Sequence, residues 1–348
     1  MFNERIIESF DGTSLYTSSE GDGPALVLCD GIGCAGFIWR YMRLAFKNRY
    51  RIIHWNYRAH GKSGPPARRS SMRMEDLVDD LQAIINAYEL KQPVLIGHSL
   101  GAQVILTYAL MHPKNVGALV SLCGSAGHPL RYLHDNGYAD KAFPYLRTFQ
   151  QAFPRFSQRA WERVLKSELA YQFALRFEVT ALFARRSDFS PYFRQVSRMD
   201  VGLFTNLLYH ANRHSIEERL PEISHPTLVV GGERDTFTPG WRAKKMAQSI
   251  PNAELCMVPG GSHVAPIELP ELINLRLEQF LEKRLGLLDK KKATARSQKV
   301  GKKSQASKTE KKKVVRRKKT STTTKKKKVT SKKATKTSSR KKVSRKSP

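Results

Sequence analysis

The stretch "VLIGHSLGAQV", Val94 to Val104, decides how this chain is read. Three β-favouring residues run into Gly97-His98-Ser99-Leu100-Gly101, and a helical pattern follows. A serine set between glycines where a strand hands over to a helix has two readings. One is a tight turn that needs small residues. The other is a nucleophile elbow, G-x-S-x-G, in which the strained turn projects the hydroxyl above the sheet and the next N–H, that of Leu100, points from the helix start toward a developing oxyanion. The strand before it and the helix after it supply the context that the second reading requires.

The rest of the chain alternates in the same way. "PALVLCDGIGC", "YRIIHW", "PVLIGHS", "GALVSLC", "PTLVVGGERD" and "AELCMVPGGSH" read as strands. Between them, "MEDLVDDLQAIINAYEL", "LGAQVILTYALMHP" and "PGWRAKKMAQSI" read as helices, and "ELPELINLRLEQFLEKRL" closes the folded part as an amphipathic one. Asp11-Gly12 marks an N-terminal hairpin between Arg5–Ser9 and Thr13–Thr17. Strands that are apolar throughout and alternate with helices imply an α/β fold: a mostly parallel sheet covered on both faces, with ligands at the carboxyl ends of the strands. Residues 1–124 and 225–288 form its two halves. Residues 125–224 show no clear strand, are helical in character and hold 17 of the chain's 32 aromatic residues, so they read as a helical insertion.

Charge divides the chain again. The formal net charge is +31, yet residues 290–348 hold 27 lysines and arginines against one acid, Glu310. That segment has no aromatic residue and no Leu, Ile or Met. It cannot bury enough apolar surface to offset the entropy of ordering, so 289–348 reads as a disordered basic tail. Such a tail suits phosphate neutralisation on nucleic acid or another polyanion, and not sequence readout. The first residues lack the apolar core of a signal peptide, and no apolar run is long enough to span a membrane. Cys29, Cys34, Cys123 and Cys256 show no paired CxxC spacing and read as free thiols. A cytoplasmic protein follows as the expectation: nucleoid- or granule-associated through its tail, or nuclear in a eukaryote. No cofactor or metal is called for.

A serine hydroxyl needs a base, and the base an orienting acid, here in the chain order Ser, acid, His. "VVGGERDTFTP" places Asp235 just past one strand, with Glu233 as the runner-up, and "VPGGSHVAPIE" places His263 just past the next. With "GHSLGA", "GGERD", "GGSH" and "YRAHGKSG" in hand, residues 4–286 resemble the serine-nucleophile, capped branch of the α/β-hydrolase superfamily. The resemblance implies Ser99 as nucleophile, His263 as general base, Asp235 as its orienter and a cap inserted after the sixth strand. Its epoxide-hydrolase and haloalkane-dehalogenase branches need an aspartate where Ser99 stands.

One departure concerns the oxyanion loop. Family members usually carry His-Gly there, whereas this chain has Asp30-Gly31-Ile32-Gly33. The donor is a backbone N–H, assigned to Ile32, so a lost histidine side chain need not remove it. Asp30 reads as a structural loop residue, because a carboxylate facing the oxyanion would raise the barrier. His98, His60 and His54 read as packing residues. The tail resembles those of histone H1-like proteins. Asp-Gly-Ile-Gly is similar to the Asn-Gly-Ile-Gly of intracellular polyhydroxyalkanoate depolymerases.

The expected activity is hydrolysis of a carboxylic ester, lipid-like or polyester, with an apolar acyl group favoured by the aromatic insertion. Polyester depolymerase, C–C hydrolase and cofactor-free haloperoxidase-like chemistry stay open beside it, as does a binding protein whose tail holds nucleic acid. Acyl length, ester versus lactone or thioester, the tail's partner and oligomeric state stay open too.

Overall fold

The computed structural model describes residues 2–168, 172, 186–284 and 286. The expected basic tail over 289–348, with its histone H1-like character, lies outside the described residues.

Alternation of short apolar runs with helices produces one sheet in the order β1-β2-β4-β3-β5-β6-β7-β8. The hairpin is β1 (Asn3–Glu8) and β2 (Ser14–Glu20), antiparallel and turned at Gly12. β2 runs antiparallel to β4 (Arg51–Trp55). Every later pairing is parallel, through β3 (Ala25–Cys29), β5 (Val94–His98), β6 (Ala118–Leu122), β7 (Thr227–Gly232) and β8 (Ala253–Val258). β5 and β6 are buried along their whole length, as strands covered on both faces must be. This is the α/β fold with a mostly parallel sheet.

The helices of the sheet layers are α1 (Arg40–Phe46), α2 (Met74–Ala87) and α3 (Leu100–Met111). In α2, Leu77, Leu81, Ile84 and Ile85 recur at helical spacing and are buried. α3 is apolar nearly all round and is the most deeply buried helix of the three, as its place beside the central strands requires. Between β6 and β7 the described residues form α4 (Tyr138–Ala152), α5 (Pro154–Leu165), α6 (Arg186–Val196) and α7 (Val201–Arg213). After β7 come α8 (Gly240–Ser249), a single turn α9 (Ala265–Glu268) and a helix over 270–284.

Buried polar groups tie the loop after β4 to its neighbours. The fully buried Arg58 guanidinium donates to both carboxylate oxygens of Asp80, at 2.8 and 2.6 Å, and to Asp11 at 3.0 Å. His60 donates from Nδ1 to the Arg58 carbonyl at 2.9 Å, which leaves Nε2 as an acceptor for the Gly33 N–H at 3.1 Å. Burial lowers the basicity of His60, in keeping with that neutral ring. The "RAHGKSG" loop thereby holds one end of the Gly31–Gly33 loop.

Candidate active site

Ser99 sits between β5 and α3 with φ 53° and ψ −114°. That is a positive-φ backbone on a residue with a Cβ, held only because the surroundings force it. The glycines explain how the turn closes. A Cβ on Gly97 would lie 2.2 Å from the Gly101 carbonyl oxygen, and one on Gly101 would lie 2.1 Å from that of Cys29. Any side chain at either place drives the strand and helix apart. Both small residues in "GHSLG" therefore serve the close approach that aims the serine.

Three side chains expected to act together are brought together. His263 Nε2 is 2.9 Å from Ser99 Oγ. His263 Nδ1 is 3.1 and 3.0 Å from the two carboxylate oxygens of Asp235. The Asp235 side chain is fully buried, that of His263 is 12% exposed, and Ser99 is half-buried. With Nδ1–H donating to the carboxylate, Nε2 is free to accept the hydroxyl proton, the tautomer a general base needs.

Asp235 is clamped in turn. One of its oxygens accepts from the N–H groups of Phe237 and Thr238, at 2.9 and 2.8 Å, and the Thr238 hydroxyl lies 2.7 Å from the other. The Asp-x-x-Thr spacing in "DTFT" is a local turn signal that foretells this clamp. Glu233, the alternative acid, accepts from the Gly260 N–H at 3.1 Å and so ties the loop after β8.

Two supporting residues were not legible in the sequence. His98 Nε2 lies 2.9 Å from the His263 carbonyl, so it must be the protonated nitrogen. Its Nδ1 is buried without a partner, and burial, helped by neighbouring His263, holds the ring down at about 4. Buried Glu268 accepts from both the N–H and the hydroxyl of Ser262, at 2.8 and 2.7 Å, fixing the chain beside His263.

Asp30 turns into the protein. Its carboxylate is fully buried and accepts from Trp39 Nε1 at 2.6 Å, the Gly36 N–H at 3.0 Å and His54 Nε2 at 2.8 Å. Those bonds satisfy the buried carboxylate, in keeping with a structural loop residue, and they pin the start of the Gly31–Gly33 loop. Gly31 then borders the serine: a Cβ on it would be 3.2 Å from Ser99 Cβ, and Ile32 follows it in the same loop. Leu100 opens α3, so its N–H has no carbonyl four residues back to bond.

Aromatic and aliphatic side chains close over this loop. A Cβ on Gly33 would meet Val196 and Tyr192 of α6 and Phe204 of α7. The Phe37 ring lies 5.6 Å from that of Tyr192 and the Trp161 ring 4.9 Å from that of Phe204, both tilted, while Phe237 lies 4.8 Å from the His263 ring. The four cysteines are free, and burial pushes the Cys29 thiol up to about 12, out of reach as a nucleophile. Among the described residues no group of acidic, His and Cys side chains has the arrangement to hold a metal ion.

A family model described as alpha/beta hydrolase fold matches residues 24–270. A protein of Agrobacterium fabrum provisionally named carbamate hydrolase RutD is 26% identical over 277 residues, covering 77% of this chain and 96% of its own. Epoxide hydrolase 2 of Caenorhabditis elegans is 25% identical over 272 residues, covering 75% of this chain and 74% of its own. Among solved structures, an esterase from Exiguobacterium antarcticum superposes with a TM-score of 0.66 at 18% identity, covering 80% of this chain and all of the esterase. At that identity the likeness is one of fold.

Proposed function

The chain belongs to the alpha/beta hydrolase family, and from that premise we propose that it is a serine hydrolase cleaving a carboxylic ester with an apolar acyl group. The hydrogen-bonded run Ser99–His263–Asp235, at a strained turn between strand and helix, carries this reading. Ser99 Oγ attacks the ester carbonyl carbon as His263 Nε2 takes its proton. The N–H groups of Leu100 and Ile32 hold the oxyanion. The intermediate collapses, His263 returns the proton to the departing alkoxide, and an acyl-enzyme remains. Water, deprotonated by the same imidazole, attacks the acyl carbon and releases the acid and free Ser99. Asp235 keeps the ring in its tautomer and stabilises it when charged.

The apolar roof from Phe37, Tyr192, Val196 and Phe204 supports an apolar acyl group over a charged one. The serine separates this chain from epoxide opening, which needs a carboxylate nucleophile. A carbamate is the nearest competing substrate, because the same attack on a carbonyl serves it. Initial rates on p-nitrophenyl esters of rising chain length and on a matched aryl carbamate test the reading. Ester turnover that rises with acyl length and vanishes in Ser99→Ala supports it; equal rates in the variant, or turnover of the carbamate alone, contradict it.

The charge of residues 290–348 favours a second role, binding of nucleic acid or another polyanion. Such binding weakens steeply with salt. A DNA mobility shift that fades with salt and disappears on deleting 290–348, with ester hydrolysis retained, supports it; a shift unaffected by the deletion contradicts it.

A further inference from the structure

α4 is amphipathic in the wrong sense for a helix on a water-facing surface. Its buried residue is Phe143, while Tyr138, Tyr145, Leu146 and Phe149 are 71, 79, 64 and 47% exposed. Tyr138, Tyr145 and Phe149 stand seven and four residues apart, which puts them on one stripe, away from the side that Phe143 packs. Phe153 and Phe156, 55 and 63% exposed, continue that stripe into α5, and their rings lie 5.1 and 6.0 Å from that of Phe149. A contiguous exposed apolar patch rimmed by polar side chains marks a contact site.

The surrounding charge says what kind of contact. Arg155, Arg159 and Arg163 of α5 recur every four residues, are exposed, and have no ion-pair partner among the described residues. The two helices carry five basic side chains against two carboxylates, Asp140 and Glu162. Asp140 already accepts from Asn212 and Glu162 from Gln158. A second copy docking on this face by two-fold symmetry would set arginine against arginine. The phenylalanine rings, tilted by 46° and 85° to one another, with Leu146 three residues before Phe149, form a contiguous apolar ridge and not a row of separated flat platforms for bases.

We propose that the α4–α5 face docks on an anionic phospholipid surface, the aromatic ridge entering the headgroup–acyl boundary and the arginines meeting lipid phosphates. Aromatic and aliphatic residues on one side, with basic residues flanking them, are what an interfacial helix pair needs. No helix among the described residues is long and apolar enough to cross a membrane, so the contact is peripheral. Neither Ser99 nor His263 takes part in this contact, so it does not depend on ester hydrolysis.

The test is flotation of the full chain with phosphatidylcholine vesicles, with and without one quarter phosphatidylglycerol. At 0.5 M NaCl the screening length falls below about 5 Å, which suppresses adsorption through charge alone, including that of the lysine-rich segment. Wild type should still float with the anionic vesicles. Tyr145→Ser/Phe149→Ser/Phe153→Ser/Phe156→Ser should lower its partition coefficient at least tenfold. At 0.1 M NaCl, Arg155→Gln/Arg159→Gln/Arg163→Gln should cut the preference for anionic over neutral vesicles by about tenfold or more. A measurement without variants, hydrogen exchange on wild type, should show amides of 138–165 newly protected by vesicles. The proposal is overturned by any of four results: no flotation of wild type at 0.5 M, flotation of the serine variant equal to wild type, a dimer that the same four substitutions abolish, or tighter binding of a single-stranded oligonucleotide that needs the same rings.

Discussion

The imidazole of His98 donates from Nε2 to the main-chain carbonyl of His263 at 2.9 Å, so the residue preceding the serine holds the residue to which the serine bonds. A carbonyl can only accept, which fixes the tautomer of His98 and leaves its Nδ1 as a bare, buried acceptor. A second proton on that ring would have no partner. His98 is therefore a positioning residue that works while neutral.

A pH dependence of stability follows. Folding holds His98 at about 4, against about 6.5 for a histidine in an unfolded chain. As pH falls, the unfolded chain takes the proton first. The stabilising contribution is complete above about pH 6.5 and is lost progressively as pH falls toward 4. Between pH 7.5 and 5, wild type should lose about 2 kcal/mol more unfolding free energy than His98→Gln, whose amide can still donate to the carbonyl. Urea unfolding at the two pH values reads the difference; equal losses in the two proteins would sink the assignment.

Gly31→Ala tests the loop that borders the serine. The added Cβ would sit 2.9 Å from His98 Nδ1 and 3.2 Å from Ser99 Cβ. The loop must back away and carry the Ile32 N–H with it. Loss of one oxyanion donor costs about 10²–10³ in kcat, so kcat on a p-nitrophenyl ester should fall about a hundredfold, with a shift in Tm of a few degrees at most. A variant with wild-type kcat would remove Ile32 from the oxyanion hole.

Asp30→Ala leaves three donors, Trp39 Nε1, His54 Nε2 and the Gly36 N–H, facing a buried gap. Each unsatisfied group costs on the order of 1–3 kcal/mol. Urea unfolding at pH 7.5 should show a loss of at least about 3 kcal/mol. A loss under about 1 kcal/mol would mean that Asp30 is not the anchor of this loop.

Much of this was legible in the sequence because it is local. Apolar runs and helical spacing located the strands and the sheet helices, and "GHSLG" located the turn at Ser99, since backbone geometry there depends on neighbours a few residues apart. Asp235 and His263 were legible from strand ends and chain order. Their supports were less so. The bond from His98 to His263 joins residues 165 apart, and that from His54 to Asp30 depends on two strands lying side by side. No periodicity records such contacts. His98, His60 and His54 were read as packing residues, which their burial bears out, but the partner of each exists only once the sheet has formed. The outward face of α4 was illegible for another reason: a row of aromatics at helical spacing looks the same whether it faces the core or the solvent.

The central claim is that Ser99 is an activated nucleophile, and labelling with a fluorophosphonate probe tests it most directly. Wild type and Ser99→Ala, both shown to be folded by circular dichroism, are incubated with the probe at pH 7.5 and the covalent adduct is located by peptide mass spectrometry. One adduct on Ser99 in wild type and none in the variant is the expected result. Folded wild type that stays unlabelled, or a variant that labels as readily, would contradict it.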